Sequence, residues 1–509
     1  MKSSSVNNSI TRNTLYLYLR MLMVMAVSLY TIRVVLHALG AVDYGIYNVV
    51  GGIVAMFTFL NSILNSASLR FFAYNIGKND QQQLSNYFTM SFWCFAITGA
   101  LVFLFAETIG LWFVNTQLNI PSNRMNAAIC IYHFSVVTFV INLLVIPYST
   151  IIIAHERMNM YAVIGIIECL LKLGVAYLII ITPFDKLKTY ALLTCLAVAV
   201  VDLYYIIYGL NHFAECKVRQ FWDTRIFNEI ATFSGWTLFG AVSGVLRSQG
   251  INILLNIFFN TIVNAARAIA YQVNNSTNLF VLNFFKAVQP RITKHYGAGD
   301  HHEMRSLVLR SSRYCFYLIL FLSIPLLLET KFILILWLKE IPDNTVLFTR
   351  LVLITAIVES TSYPLQTAIS ATGKIKYFQI VNGGLLILIL PVSWIFLRWG
   401  YPPETTMYIS IVFSVIAQFS RIVFARIYIG LPINDYIKDV AVKILLVMTV
   451  SFVAPTIIIS HMDASPVRFI SVCAVSLISC ALTIYTIGIS IQERHFINNL
   501  IKQRLHAFR

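Results

Sequence analysis

Between Asn13 and Asp80 the chain reads NTLYLYLRMLMVMAVSLYTIRVVLHALGAVDYGIYNVVGGIVAMFTFLNSILNSASLRFFAYNIGKND, two long apolar runs joined by the tight turn ALGAVDYG. Crossing ~30 Å of hydrocarbon takes about 20 residues of helix, and each run is long enough. Runs of the same kind recur to near residue 491, separated only by short polar breaks. They are continuously apolar rather than alternating, which excludes a barrel and leaves α-helices as the means of satisfying the backbone inside a bilayer. The expected fold class is therefore all-α, a polytopic membrane protein. With 58% hydrophobic and 11% charged residues, a soluble reading has no support.

Spans are expected at about 13–37, 44–69, 87–113, 126–153, 161–183, 189–211, 230–256, 262–288, 312–337, 346–372, 377–398, 403–430, 437–461 and 467–491, about 14 in all. With the N-terminus inside, inner segments carry 18 Lys and Arg, while the outer turns carry four: Arg124, Lys186, Lys188 and Lys339. This asymmetry predicts that both termini are cytoplasmic. It also explains the net charge of +16 as topology rather than nucleic-acid binding. The polar start MKSSSVNNSITRN leads into an apolar run longer than a signal peptide, so it reads as retained. Eight cysteines are scattered without a CxxC pair and read as small buried hydrophobes. The largest breaks, about 212–229 and 288–311, are too short for a soluble domain, so any function resides in the bundle.

Internal repetition marks transporters that alternate access around a central site. The first hairpin ends LRFFAYNIGKND; a second ends VQPRITKHYGAGD, so that Gly77 and Asp80 match Gly297 and Asp300 at a spacing of 220 residues. Six spans precede the second hairpin, and an even number makes the repeats parallel. The expected division is 1–215, 216–430 and two extra spans with a tail in 431–509.

Charges inside spans are functional candidates, because an Arg at a helix centre costs ~2.5–3.5 kcal/mol on insertion scales. Arg247 lies deep in its span within the polar segment SGVLRSQG, which also holds Gln249. Arg267 follows in NAARAIAYQVNNSTN, with Gln272 and Asn275. Arg20 and Arg33 occupy the first span; each either lines a cavity or snorkels to an interface, and on a straight helix they face directions ~140° apart. Glu168 and Lys172 are four residues apart and suit mutual neutralisation. Asp202 and Glu359 are single mid-span acids, open to two readings: carriage of a coupling ion, or pairing with an arginine.

The chain has no Walker A loop, GxSxG, HExxH or loop DxD, so neither ATP hydrolysis nor common glycosyl transfer has its parts. His295 and Asp300 form an accidental HxxxxD, and His301 and His302 give no metal spacing. No catalysis, cofactor or metal is expected.

The stretches LYTIRVVLHALGAVDYGIYNVVGGIVAMFTFLN and LRFFAYNIGKND, then NIFFNTIVNAARAIAYQVNN through AVQPRITKHYGAGD, resemble bacterial oligosaccharide flippases of the multidrug/oligosaccharidyl-lipid/polysaccharide (MOP) exporter superfamily. The resemblance implies two six-helix lobes in a V, plus two C-terminal helices. It also implies movement of a polyprenyl-pyrophosphate-linked oligosaccharide from the cytoplasmic to the periplasmic leaflet of a bacterial inner membrane, for O-antigen, capsule or exopolysaccharide. Arg247, Arg267 and one of Arg20 or Arg33 would hold the pyrophosphate, a role suited to the guanidinium fork. The alternative in the same superfamily is a multidrug and toxic compound extrusion (MATE) antiporter, which needs carboxylates in the cavity. Spans one, seven and eight carry arginines, and none of spans one, two, seven and eight has a mid-span Asp or Glu. The implied partners are the bilayer, the lipid-linked oligosaccharide and polysaccharide assembly enzymes. The basic stretch 290–313 suits docking to such an enzyme or to anionic headgroups, and equally a solvated loop that sets orientation.

Overall fold

The apolar runs fold as helices, and their ends follow local chemistry. The computed structural model describes residues 2–55, 57–116, 121–259, 261–338, 341–491, 493–495 and 498. The helices are α1 (Lys2–Ala55), α2 (Thr58–Lys78), α3 (Gln81–Phe105), α4 (Leu111–Thr116), α5 (Met125–Ala154), α6 (Met158–Ile181) and α7 (Lys186–His212). Next come α8 (Thr224–Phe258), α9 (Thr261–Gly297), α10 (His301–Leu328), α11 (Thr330–Leu338), α12 (Thr345–Ser360) and α13 (Ser362–Ala371). The last are α14 (Lys376–Arg398), α15 (Thr405–Ile429), α16 (Ile433–Tyr436), α17 (Val442–His461) and α18 (Pro466–Thr483). No strand occurs among the described residues. Lys339 and the tail beyond residue 498, both used in the topology argument, lie outside the described residues.

Twelve helical segments are long and apolar enough to cross a membrane, among the described residues. The two expected spans outside this set are the second member of each hairpin. One is the end of α1 with α2; the other is α9, with its run of amides and hydroxyls and Arg267. α9 is helical but too polar to qualify by composition, whereas the other is shared between the end of α1 at Ala55 and α2 from Thr58, either side of a residue outside the described set. The expected ALGAVDYG turn is smaller than it looked. Helix runs through the segment except at Gly40, whose φ of 79° and ψ of 167° divide α1 into two helices. That backbone region is essentially closed to residues with a Cβ.

The 220-residue match has a structural cause. α2 is followed by Asn79 in the left-handed conformation at φ 56°, and α9 by Gly299 at φ 77°. The next residue in each case is an aspartate that caps the following helix: Asp80 accepts from the Gln83 N–H at 3.0 Å, and Asp300 from the Glu303 N–H at 3.1 Å. The repeat is thus a helix stop followed by a helix start.

The chain divides into two compact units, one of Ser9–Thr237, the other built from Leu238–Tyr296 and from Asp300 on. In the first, Tyr132, Phe139 and Leu143 of α5 pack with Phe95 and Val102 of α3 and Leu187 of α7. In a π-turn at Ala106–Gly110 the Ala106 carbonyl accepts from the Leu111 N–H and also from Tyr132 Oη at 2.6 Å. A Cβ at Gly110 would run into that hydroxyl, so the close approach requires glycine. In the second, Ile251 and Leu255 of α8, Ala266 and Ala270 of α9, Phe348 of α12 and Ile389 of α14 share one core.

Candidate functional site

Two groups of polar side chains sit within the apolar bundle, one in each unit. In the second unit, the polar stretch of α8 directs Arg247 to α12, where its Nη1 donates to Glu359 Oε1 at 2.9 Å. Ser414 Oγ of α15 donates to the same oxygen at 2.7 Å. Arg421, one helical repeat further along α15, is close enough to Glu359 and Arg247 to interact with both charges. On α9, Arg267 is buried with its guanidinium 4.4 Å from the Tyr271 ring centroid, and Nη1 donates to Asn252 Oδ1. It also lies within electrostatic reach of Arg247.

Three guanidiniums are thus linked to one carboxylate, Arg247 and Arg421 beside Glu359 and Arg267 within electrostatic reach of Arg247. Glu359 neutralises one of them, which leaves an excess of two positive charges. Arg267 Nε and Nη2 and Arg421 Nε and Nη1 are buried without a hydrogen-bond partner. Leaving such donors unmade is costly, most of all on a charged group. The arrangement suits an acceptor-rich anion, which matches the geometry of Arg forks. Gln249 accepts from Asn252 at 3.0 Å but is itself exposed, as are Gln272 and Asn275.

The second group lies in the first unit. A cavity of 390 Å³ is bounded by α1, α2, α5, α6 and α7. Arg20 reaches into it with its guanidinium 4.5 Å from the Tyr161 ring centroid. It lies against α6 at Gly165, where a Cβ would collide with Arg20 Nε. Glu168 and Asp202 face the same space, with Asn61, Asn65 and Asn142. Lys172 donates to Glu168 at 2.6 Å, the i,i+4 pair legible in the sequence. Asp202 is 6% exposed, and its Oδ2 has no hydrogen-bond partner. Arg33, on the same helix as Arg20, is exposed instead.

Of the residues singled out in the sequence, Arg247 joins Glu359 and Arg20 joins Glu168 and Asp202, in separate units. Sequence reasoning did not single out Arg421, eight residues before the end of α15. It also missed Asn65, Asn142 and Tyr161, whose spacing carries no motif and whose convergence depends on packing.

No family model matches the chain, and no curated protein matches it. Solved structures do. A MATE transporter in complex with MaD3S is 14% identical, covers 83% of this chain and 96% of its own, and superposes with a TM-score of 0.69. An outward-facing multidrug resistance MATE family transporter of the MOP superfamily gives the same identity, coverages and TM-score. A MOP superfamily transporter from Pyrococcus furiosus, described as having a binding pocket of reversed polarity that suggests a different function, is 12% identical with a TM-score of 0.68 over 83% of this chain and 96% of its own. The likeness shows the fold: this chain is a multi-pass membrane protein with the architecture of the MATE-type transporters of the MOP superfamily.

Proposed function

We propose that the protein is a transporter of an anionic lipid-linked cargo, a flippase that moves a polyprenyl-pyrophosphate-linked oligosaccharide from the cytoplasmic to the periplasmic leaflet of a bacterial inner membrane. Both termini are cytoplasmic in this reading, and the product feeds surface polysaccharide assembly. The observation that carries it is the pair of buried arginines with unpartnered N–H groups, Arg421 near Glu359 and Arg267 near Arg247. A pyrophosphate supplies both the negative charge and the acceptor atoms that this cluster lacks. The polyprenyl chain stays in the bilayer, where transfer would gain nothing. One neighbour with this fold is described as having a pocket of reversed polarity and a different function, so the fold is compatible with more than one cargo charge.

The experiment is translocation of a lipid-linked oligosaccharide in proteoliposomes, read by accessibility of the sugar to an impermeant glycosidase. The wild type translocates; Arg267→Ala loses at least tenfold in rate, and Arg267→Lys retains part of it because the charge remains. Equal rates in all three would remove the cluster from the mechanism. The second reading, a cation-coupled multidrug exporter, draws on the unpartnered Asp202 Oδ2 in the first unit. Export of ethidium with no movement of lipid-linked sugar would establish that reading instead.

A further inference from the structure

We infer that the cavity in the first unit is a saccharide subsite, which holds a neutral sugar ring of the cargo. This inference rests on the flippase reading for its biological meaning, but its chemistry is independent of it.

Charge comes first. The cavity's two carboxylates, Glu168 and Asp202, are matched by two cations, Arg20 in the same space and Lys172 bound to Glu168 at 2.6 Å. The site is balanced, unlike the arginine-rich group of the second unit. A cationic drug would meet Arg20, and a pyrophosphate would meet Asp202. A neutral ligand meets neither penalty.

Hydrogen-bonding capacity comes second, and it is sorted by the structure. Thr150 Oγ1 donates to Asn65 Oδ1 at 2.7 Å, so the Asn65 amide offers its NH2 group as donor. Asn142 does the opposite: its Nδ2 donates to the Thr138 carbonyl at 2.9 Å, which presents Oδ1 as acceptor. Asn61 Oδ1 and Asp202 Oδ2 are buried acceptors without partners, and Arg20 Nε is a buried donor without one. Ser62 and Ser149 spend their protons on the carbonyls of Phe59 and Ile146, at 2.9 and 3.0 Å, and keep lone pairs for a ligand. Donors and acceptors are thus interleaved around one space. Sugar hydroxyls donate and accept at once, so a polyol satisfies such a set where a simple ion cannot.

Size is compatible. At 390 Å³ the cavity falls in the ~300–1,000 Å³ range of small-molecule pockets and has room for a short saccharide. Asp202 is 94% buried by its 6% exposure, so its free oxygen is an unmet acceptor rather than a solvated one. The inference moves Arg20 from a pyrophosphate role to a sugar-facing one, held flat against Tyr161 by the absence of a side chain at Gly165.

The test is saturation-transfer NMR on the full-length protein in detergent, with a mixture of methyl glycosides of glucose, galactose, mannose, N-acetylglucosamine and N-acetylgalactosamine as probes. At least one glycoside receives saturation from the wild type. Asp202→Asn, which keeps the side-chain shape, and Gly165→Leu, which displaces Arg20, each lower that signal at least fivefold while the protein still elutes as a single species. Inorganic pyrophosphate leaves the signal in place. No saturation of any glycoside, an unchanged signal in both variants, or displacement by pyrophosphate would each overturn the subsite. Glycoside binding together with absent lipid-linked translocation would sink the flippase reading alone.

Discussion

Replacing Glu493 by alanine should detach the segment that follows the last span from the body of the second unit. Glu493 Oε1 and Oε2 accept from Arg313 Nη2 at 3.1 and 3.2 Å, with Tyr314 Oη at 2.7 Å on Oε1 and the Ser490 N–H at 2.7 Å on Oε2. The two charged side chains are only 4% and 6% exposed, which puts the pair in the buried regime. Removal of one partner there costs about 3–5 kcal/mol, most of it the isolated charge left behind. At ~1.4 kcal/mol per decade, that corresponds to about 10²- to 4 × 10³-fold faster amide exchange after Gly488. Hydrogen–deuterium exchange at Ser490 and Arg494 reads it directly. Because the loss comes from an orphaned Arg313, the double variant Arg313→Met, Glu493→Met should recover most of the protection. A change under about threefold in Glu493→Ala, or a double variant no better than the single one, would refute the reasoning. The same pair gives a pH dependence. Burial pushes the Glu493 carboxyl up, but Arg313, the Ser490 N–H and Tyr314 outweigh it and hold it below the usual range. Its contribution is therefore complete above the unfolded carboxylate value and lost as pH falls through the lower folded one.

Two further perturbations test the first unit. Gly40→Ala forces a Cβ into a backbone region reserved for glycine, at a cost of about 1–3 kcal/mol. The expected outcome is a lower thermal midpoint in detergent, and an unchanged midpoint would argue against the break at Gly40. At the start of α7, Asp185 accepts from the Leu187 N–H at 3.0 Å and the Lys188 N–H at 3.3 Å, while Arg124 binds both Asp185 and Asp43. Burial raises the Asp185 carboxyl, yet the Lys188 N–H and Arg124 more than compensate and set it below the usual carboxylate range. Protection of the Leu187 and Lys188 amides, corrected for intrinsic exchange, should therefore fall as the solution is acidified through that value. In Asp185→Asn it should start lower and stay flat.

The helical spans were legible because bilayer thickness imposes a length and an apolar composition that any reader of the sequence can count. The punctuation was half legible. Gly77, Asp80, Gly297 and Asp300 announced themselves as a repeat, but the device they flank, left-handed Asn79 or Gly299 followed by an aspartate cap, needed the backbone. Arg247 and Glu359 stood out as charges in spans, yet their pairing across 112 residues is a property of packing alone. Asp202 was visible as an isolated acid, whereas the company it keeps was not: Asn65, Asn142 and Tyr161 are ordinary residues until three helices bring them to one space. Arg421 was not singled out at all, because nothing in its own stretch of sequence says which helix covers the side chain.

The polarity of α9 bears on how the protein is made. A nascent helix enters the bilayer from the translocon according to its own transfer free energy, and an arginine near its centre weighs against entry by ~2.5–3.5 kcal/mol. α9, with Arg267 and its run of amides, is poorly suited to partition alone. Its entry is favoured by α8, already synthesised, whose Asn252 receives Arg267. Membrane integration of α9 is then expected to depend on α8, and an arginine proposed to hold cargo in the mature protein also bears on how its own helix enters the bilayer.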